Sequence, residues 1–177
     1  HYLDGNVQAE KKIRLTQKVL KAAGIEPQRL HLDWVSSAEA QRFADVATSI
    51  VDTVSQLGPL DRKKNDLALR AARRTLDGEI VRWTVGKETA LTGKGDVYGR
   101  SWDQDRFEAT LDSIAQAELE KNLIYEALNQ GCTSVREVAS MTGMKLARIS
   151  FVMADMERTG MIEFKGMVDH KPQFAAV

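Results

Sequence analysis

Side chains able to do chemistry are few and scattered in this chain. It has one thiol, Cys132, and three imidazoles, His1, His31 and His170. A single thiol can neither close an internal disulfide nor ligate an iron–sulfur cluster by itself. A metal ion needs several ligands converging with fixed geometry. His31 and Asp33 share one face of an alternating segment, and His1 and His170 lie far from them in sequence, so the spacing of a metal site is missing. Cys132 follows Gly131 at an expected helix end with no base in a recognisable pattern nearby. It reads as a small buried hydrophobe rather than a nucleophile. No glycine-rich phosphate loop, nucleophile elbow or carboxylate pair is found. The sequence therefore points to binding rather than catalysis, and its candidates are surfaces. Trp83, Tyr98 and Trp102 are expected to dock a partner, because aromatic anchors bring large area at small entropy cost. Arg62, Lys63, Lys64, Arg70, Arg73 and Arg74 form a basic run that suits either an acidic partner or a solvated helix face.

Charge distribution supports a two-part chain. Basic and acidic residues balance at 25 each, so bulk charge predicts neither a nucleic acid nor a membrane partner. Residues 1–100 hold 17 basic and 13 acidic groups, and residues 101–177 hold 8 and 12, giving nets of +4 and −4. No apolar run approaches the ~20 residues of a bilayer span, and the start lacks a secretion-signal pattern. The lone cysteine fits a reducing compartment, and the expected location is cytoplasmic.

The elements that must position these residues can be read from periodicity. Val7–Ala23 predicts a helix with two apolar stripes, one of Ala9, Ile13, Thr16, Leu20 and Ala23 and another of Leu15, Val19 and Ala22. Leu30–Val35 alternates and predicts a strand. Ser36 and Glu39 predict a capping box, ahead of a helix striped by Phe43, Val46, Ala47, Ile50, Val54 and Leu57. A lone strand cannot satisfy its own backbone groups. With its abrupt start at His1, the segment is expected to be part of a larger α/β fold. Residues 61–91 predict one long helix or two, with Leu69, Ala72, Leu76, Ile80 and Trp83 on one face and Gly78 in the middle. Asp96–Trp102 predicts a polar docking loop.

From Asp105 the pattern predicts a helix to Leu128 and a short helix capped by Ser134. A third helix over Lys145–Thr159 has Leu146, Ile149, Val152, Met153 and Met156 inside. Met161–Phe164 and Gln173–Ala176 then form a hairpin, with Asp169-His170-Lys171-Pro172 as its turn. Three helices and a hairpin make a winged helix-turn-helix. The predicted fold class is thus an incomplete, flavodoxin-like small α/β domain followed by a mostly α winged helix-turn-helix domain. Its divisions are 1–59, a helical linker and docking loop at 60–104, and 105–177. A winged helix raises a DNA-reading alternative through Lys145, Arg148 and Ser150 with Lys165, His170 and Lys171 on the wing. Asp155, Glu157 and the acidic net charge of this half argue instead for a protein contact.

Residues 1–12, His1-Tyr2-Leu3-Asp4-Gly5-Asn6-Val7-Gln8-Ala9-Glu10-Lys11-Lys12, carry a family resemblance. So do Gly24-Ile25-Glu26-Pro27-Gln28-Arg29-Leu30, Trp34-Val35-Ser36-Ser37-Ala38-Glu39, Phe43-Ala44 and Leu57-Gly58-Pro59. Together they resemble the delta subunit of methyl-viologen-reducing (F420-non-reducing) hydrogenases over residues 1–59. Val81–Glu88, Val97-Tyr98-Gly99 and the winged-helix segment are similar to the extended tail of some bacterial members. The resemblance implies a non-catalytic subunit of an oxidoreductase complex. It would pass electrons between a hydrogenase, formate or other dehydrogenase and a heterodisulfide-reductase A-like flavoprotein. It also implies a [2Fe–2S] cluster whose cysteines lie upstream of the stretch matching His1, with FAD only on the partner. No cluster ligand can then come from this chain, and His1, Tyr2 and Asn6 sit near the cluster as hydrogen-bonding neighbours at most.

Overall fold

The computed structural model describes residues 4–94 and 97–177. The first helix, α1 (Gly5–Ala22), ends where Gly24 adopts φ +73°, and Pro27 opens a 3-10 turn at Pro27–Arg29. Of its two expected stripes, one buries Leu15 and Val19 in the core with Ala22 half-buried against it, while Ala9, Ile13, Thr16 and Leu20 of the other stay half-buried and its Ala23 also packs against the core.

The strand expected at Leu30–Val35 does not form. The segment is irregular and has no ladder partner among the described residues. A strand is stable only when a neighbour takes its N–H and C=O groups, and this stretch has none beside it. The helix α2 (Ala40–Leu57) follows. Its start is half of the expected capping box: Ser36 N–H donates to Glu39 Oε2 at 2.9 Å, but the N-cap is Glu39 and no side chain caps the first turn. Arg29 holds the other end, donating to the carbonyls of Gly58 at 2.8 Å and Leu57 at 3.3 Å, where a cation complements the helix dipole. No residue of α2 is buried.

Residues 61–91 form two helices, α3 (Asp66–Asp77) and α4 (Glu79–Thr89), broken at Gly78. A Cβ on Gly78 would stand 3.0 Å from the Thr75 carbonyl oxygen, so a side chain there would make the end of α3 give way by a few tenths of an ångström. The break also shifts the helical register. Leu69, Ala72 and Leu76 pack inward or half-inward as expected, but Ile80 and Trp83 turn out to solvent, and Val81, Thr84 and Glu88 face the core instead. A π-helical turn, Ala90–Lys94, follows α4.

The spine of the molecule is α5 (Gln104–Asn129), capped by Asp103, which accepts from Arg106 N–H at 2.6 Å. Its N-terminal half buries Phe107, Leu111, Ala115 and Leu119 against Leu15 and Val19 of α1, Ala71 and Ala72 of α3 and Val81 of α4. Its C-terminal half buries Ile124, Ala127 and Leu128 in a second cluster. α1 thus shares a core with α3, α4 and α5.

The second cluster is completed by α6 (Val135–Thr142), α7 (Leu146–Arg158) and an antiparallel pair, β1 (Ile162–Val168) and β2 (Lys171–Ala176). At the start of α6, Ser134 and Glu137 form a reciprocal capping box, and Gly143 at φ +71° closes the helix. Ile149, Val152, Met153 and Met156 line the inner face of α7, whereas Leu146, expected inside, is exposed in the first turn. The strands run further than expected, to a two-residue tip of Asp169 and His170, both at positive φ, the geometry that matches strand twist in tight hairpins. Tyr125 Oη donates to the Val177 carbonyl at 2.8 Å and ties the C-terminus to α5.

Candidate functional site

Of the residues expected beside a cluster, His1 and Tyr2 lie outside the described residues, and Asn6 is exposed in the first turn of α1. His31 is exposed and borders a groove of about 410 Å³ with Arg14, Lys18 and Glu108. Asp33 does not join it in a site: it accepts from Trp34 N–H at 2.7 Å and from Arg42 at 3.2 Å. Among the described residues no group of three or more His, Cys, Asp or Glu side chains is placed to hold a metal.

Cys132 is buried in the cluster beneath α6, with its Sγ 3.8 Å from Met141 Sδ. Burial, and then the negative charge of Glu137, push its thiol above the ordinary range. Glu137 goes the other way. Backbone N–H donors from Thr133 at 2.7 Å and Ser134 at 3.1 Å, with the Thr133 hydroxyl at 3.1 Å, hold its carboxyl below the ordinary range.

The three aromatic anchors divide. Trp83 is 61% exposed beside Lys87, whose Nζ lies 5.7 Å from the ring centroid. It borders a groove of about 670 Å³ between α1 and α4, with Lys11, Lys12, Leu15, Leu76 and Arg82. Tyr98 is 79% exposed, with Arg100 at 5.1 Å from its ring. Trp102 instead packs half-buried on the first core cluster. Its backbone N–H donates to the Leu91 carbonyl at 2.9 Å, and Arg106 covers its ring at 4.4 Å.

The arginines of α3, half of the basic run, are engaged within the chain. Arg70 pairs with Asp66 at 2.8 Å and Arg73 with Asp77 at 3.9 Å, and Arg74 lies 3.7 Å over the Tyr125 ring. The groove these arginines border also carries Asp77, Glu118 and Glu126, so its charges cancel. Two of the cations proposed to read DNA are engaged too. Arg148 pairs with Glu120 at 2.6 Å, and Lys165 with Glu163. A phosphate backbone would have to displace both carboxylates.

Sequence reasoning missed a polar seam joining α1, α4 and α5. Glu88, 5% exposed, accepts from Arg14 Nη2 at 2.5 Å and from Gln104 Nε2 at 3.0 Å. Arg14 Nε lacks a well-directed hydrogen bond yet lies 3.1 Å from Glu108 Oε1; this is a charge contact, because an ion pair needs proximity more than alignment. Lys18 Nζ meets Glu108 at 2.9 Å and Asp112 at 2.7 Å. Burial alone would lower the Lys18 ammonium, but the hydrogen bonds and charges of Asp112 and Glu108 together hold it above its ordinary range. Lys11, also buried, donates to Thr89 Oγ1 at 2.5 Å. The signal was present as spacing: Arg14 and Lys18, and Gln104, Glu108 and Asp112, each recur every fourth residue along one helix face. Which helix would meet which was not.

The remaining surface of note is apolar. On α2, Val46, Ala47, Ile50 and Leu57 of the stripe read from periodicity are half-buried, whereas Phe43 is 66% exposed, Val54 is also exposed, and Val51 outside that stripe is 62% exposed. Comparison with known proteins places this part of the chain. Residues 1–58 match the family model of the methyl-viologen-reducing hydrogenase delta subunit, the family that the motifs of this N-terminal third resemble. The iron-sulfur subunit of the F420-non-reducing hydrogenase of Archaeoglobus profundus is 42% identical over 59 residues, 33% of this chain and 43% of that protein. The vhu iron-sulfur subunit of the F420-non-reducing hydrogenase of Methanopyrus kandleri is 37% identical over 59 residues, 33% of this chain and 45% of that protein. One subunit of the ferredoxin:CoB-CoM heterodisulfide reductase of Methanosarcina mazei is 35% identical over 60 residues, 34% of this chain but 8% of that protein. The chain thus spans less than half the length of the curated relatives it matches, and no solved structure matches it. No helix among the described residues is long and apolar enough to cross a membrane.

Proposed function

We propose that this chain is a non-catalytic, electron-transferring and scaffolding part of a redox complex. In this reading a hydrogenase or another dehydrogenase exchanges electrons with a heterodisulfide-reductase-like flavoprotein through it. The observation that carries the reading is the match of one segment, residues 1–58, to proteins of both kinds: the iron-sulfur subunit of a hydrogenase and one subunit of a heterodisulfide reductase.

The described residues do not fit a [2Fe–2S] cluster. Such a cluster needs four ligands, whereas the single cysteine is buried in the C-terminal cluster and no ligand group surrounds it. We therefore assign the cluster's cysteines to polypeptide outside this sequence, and FAD to the partner. The role of residues 1–59 is to complete an α/β, flavodoxin-like domain that carries the cluster. Three features support this: the half-buried outer stripe of α1, the unpaired segment Leu30–Val35, and the incompletely covered apolar side of α2. Completing the burial of Phe43 and Val51, each about two-thirds exposed, would stabilise the assembly by about 1–2 kcal/mol each, and that of Val54 by less. We assign the C-terminal helices and hairpin the winged-helix class and a protein-contacting role, and Trp83 and Tyr98 the docking of the flavoprotein.

The test is isolation of the intact complex under anaerobic conditions, with iron, flavin and subunit composition measured. Co-purification with a flavoprotein and an iron-containing subunit is expected. Recovery of the native gene product as an iron-free protein with no redox partner would refute the proposal.

A further inference from the structure

The outer face of α7 has a pattern that core packing does not explain. Phe151 stands near the middle of the helix, 70% exposed, with Arg148 at 5.7 Å from its ring. Ala147 and Ala154 beside it are exposed, and the Arg148 and Asp155 side chains are 44% and 43% exposed. At about 100° per residue, all four lie within about 60° of Phe151. Arg148 and Asp155 fall on one side of it, and Ala147 and Ala154 on the other. Along the axis, Arg148 lies about 4.5 Å before Phe151 and Asp155 about 6 Å after it.

Consider a two-fold axis through Phe151, lying in the contact plane and perpendicular to the helix. It reverses position along the helix and preserves the side. Arg148 of one copy then faces Asp155 of the other, twice. Ala147 faces Ala154, and the two rings meet. The face is therefore complementary to itself, which a closed dimer requires of a shared patch. The alanines let the backbones approach, and an aromatic residue flanked by arginine is the usual make-up of an interface hot spot. A phosphate backbone would meet Asp155 and an uncharged ring at the centre of the same face.

We propose that α7 is a self-association surface: two copies of this chain pair antiparallel through it, with Phe151 central and two reciprocal Arg148–Asp155 ion pairs. In the single chain Arg148 is held by Glu120 at 2.6 Å and Asp155 by Arg158 at 2.5 Å, so pairing exchanges contacts rather than creating them all. One helix face is also smaller than the roughly 800 Å² per partner of a standard interface. The dimer is accordingly weak and reversible. It is independent of the redox assignment, since it uses only the C-terminal half.

The test is sedimentation equilibrium on the 177-residue chain from about 10 to 500 µM, the range in which so small an interface is read. The parent is expected to show a monomer–dimer equilibrium. Phe151→Glu, Arg148→Asp and Asp155→Arg should each weaken it about tenfold or more, and the Arg148→Asp/Asp155→Arg pair should restore it to within about threefold of the parent. These positions are exposed, and far-UV circular dichroism should be unchanged in every variant. A parent that stays monomeric overturns the proposal, as does a double variant no tighter than the single ones. Association persisting in all variants would belong to another surface, such as the stripe of α2, and also overturns it. So would binding of duplex DNA by the parent that Arg148→Asp abolishes.

Discussion

Replacing Glu88 with alanine tests whether the polar seam between α1, α4 and α5 holds the first core together. The side chain is 7% exposed and accepts from Arg14 at 2.5 Å and Gln104 at 3.0 Å. Removing one partner of a fully buried ion pair costs about 3–5 kcal/mol, mainly because the other charge is stranded. Arg14 is not fully stranded, since its side chain keeps 29% exposure and Glu108 remains 3.1 Å from its Nε. The expected loss is therefore about 2 kcal/mol, below the buried-pair range. For a chain of this length that lowers the melting temperature by about 4–8 °C. Urea unfolding followed by circular dichroism measures it, and a double-mutant cycle with Arg14→Ala isolates the pair. Its coupling should be about 1 kcal/mol or more. Glu108→Ala, at a more exposed site, should cost about 1 kcal/mol. If Glu88→Ala stays within about 0.5 kcal/mol of the parent, or the coupling is nil, α1 is not locked to α4 as argued.

Phe107→Ala should destabilise by about 3–5 kcal/mol in the same assay, because the ring is wholly buried where α5 meets α1, α3 and α4; a loss under about 1 kcal/mol would contradict that packing. Glu137 has a lowered folded-state pKa, so its contribution is present above the unfolded carboxylate value of about 4.3 and is lost as pH falls through the folded value. Melting temperatures of Glu137→Gln, which keeps an acceptor without the charge, should depend less on pH below about 4.3 than those of the parent; an unchanged acid slope would count against the cap. Native Cys132 should react with iodoacetamide far more slowly than the urea-unfolded chain at neutral pH, since burial both shields it and raises its pKa. Equal rates would mean that the second cluster opens readily.

Much of the local structure was legible because helices announce themselves by period and caps by residue type. The stripes of α1, α2 and α7 and the cap at Ser134 need only near neighbours in sequence. Errors arose where the answer lay at a distance. Leu30–Val35 alternates like a strand, but alternation supplies no partner for its backbone groups. Ile80 and Trp83 looked continuous with Leu76 until the close approach at Gly78 reset the register.

For the candidate sites, sequence alone determined that a single cysteine cannot by itself ligate an iron–sulfur cluster, and that residues 1–59 resemble the delta subunit. Side-chain chemistry and motif order are properties of the chain as written. Only the tertiary structure decided that α1 shares a core with α3–α5 and that Arg14 and Lys18 meet Glu88, Glu108 and Asp112. It likewise decided that Arg148 and Lys165 are engaged by carboxylates of their own chain, and that Trp102 packs inward while Trp83 and Tyr98 face solvent. Those outcomes turn on which helix faces which. That is decided by the summed burial and pairing of residues far apart in sequence, and no local pattern records it.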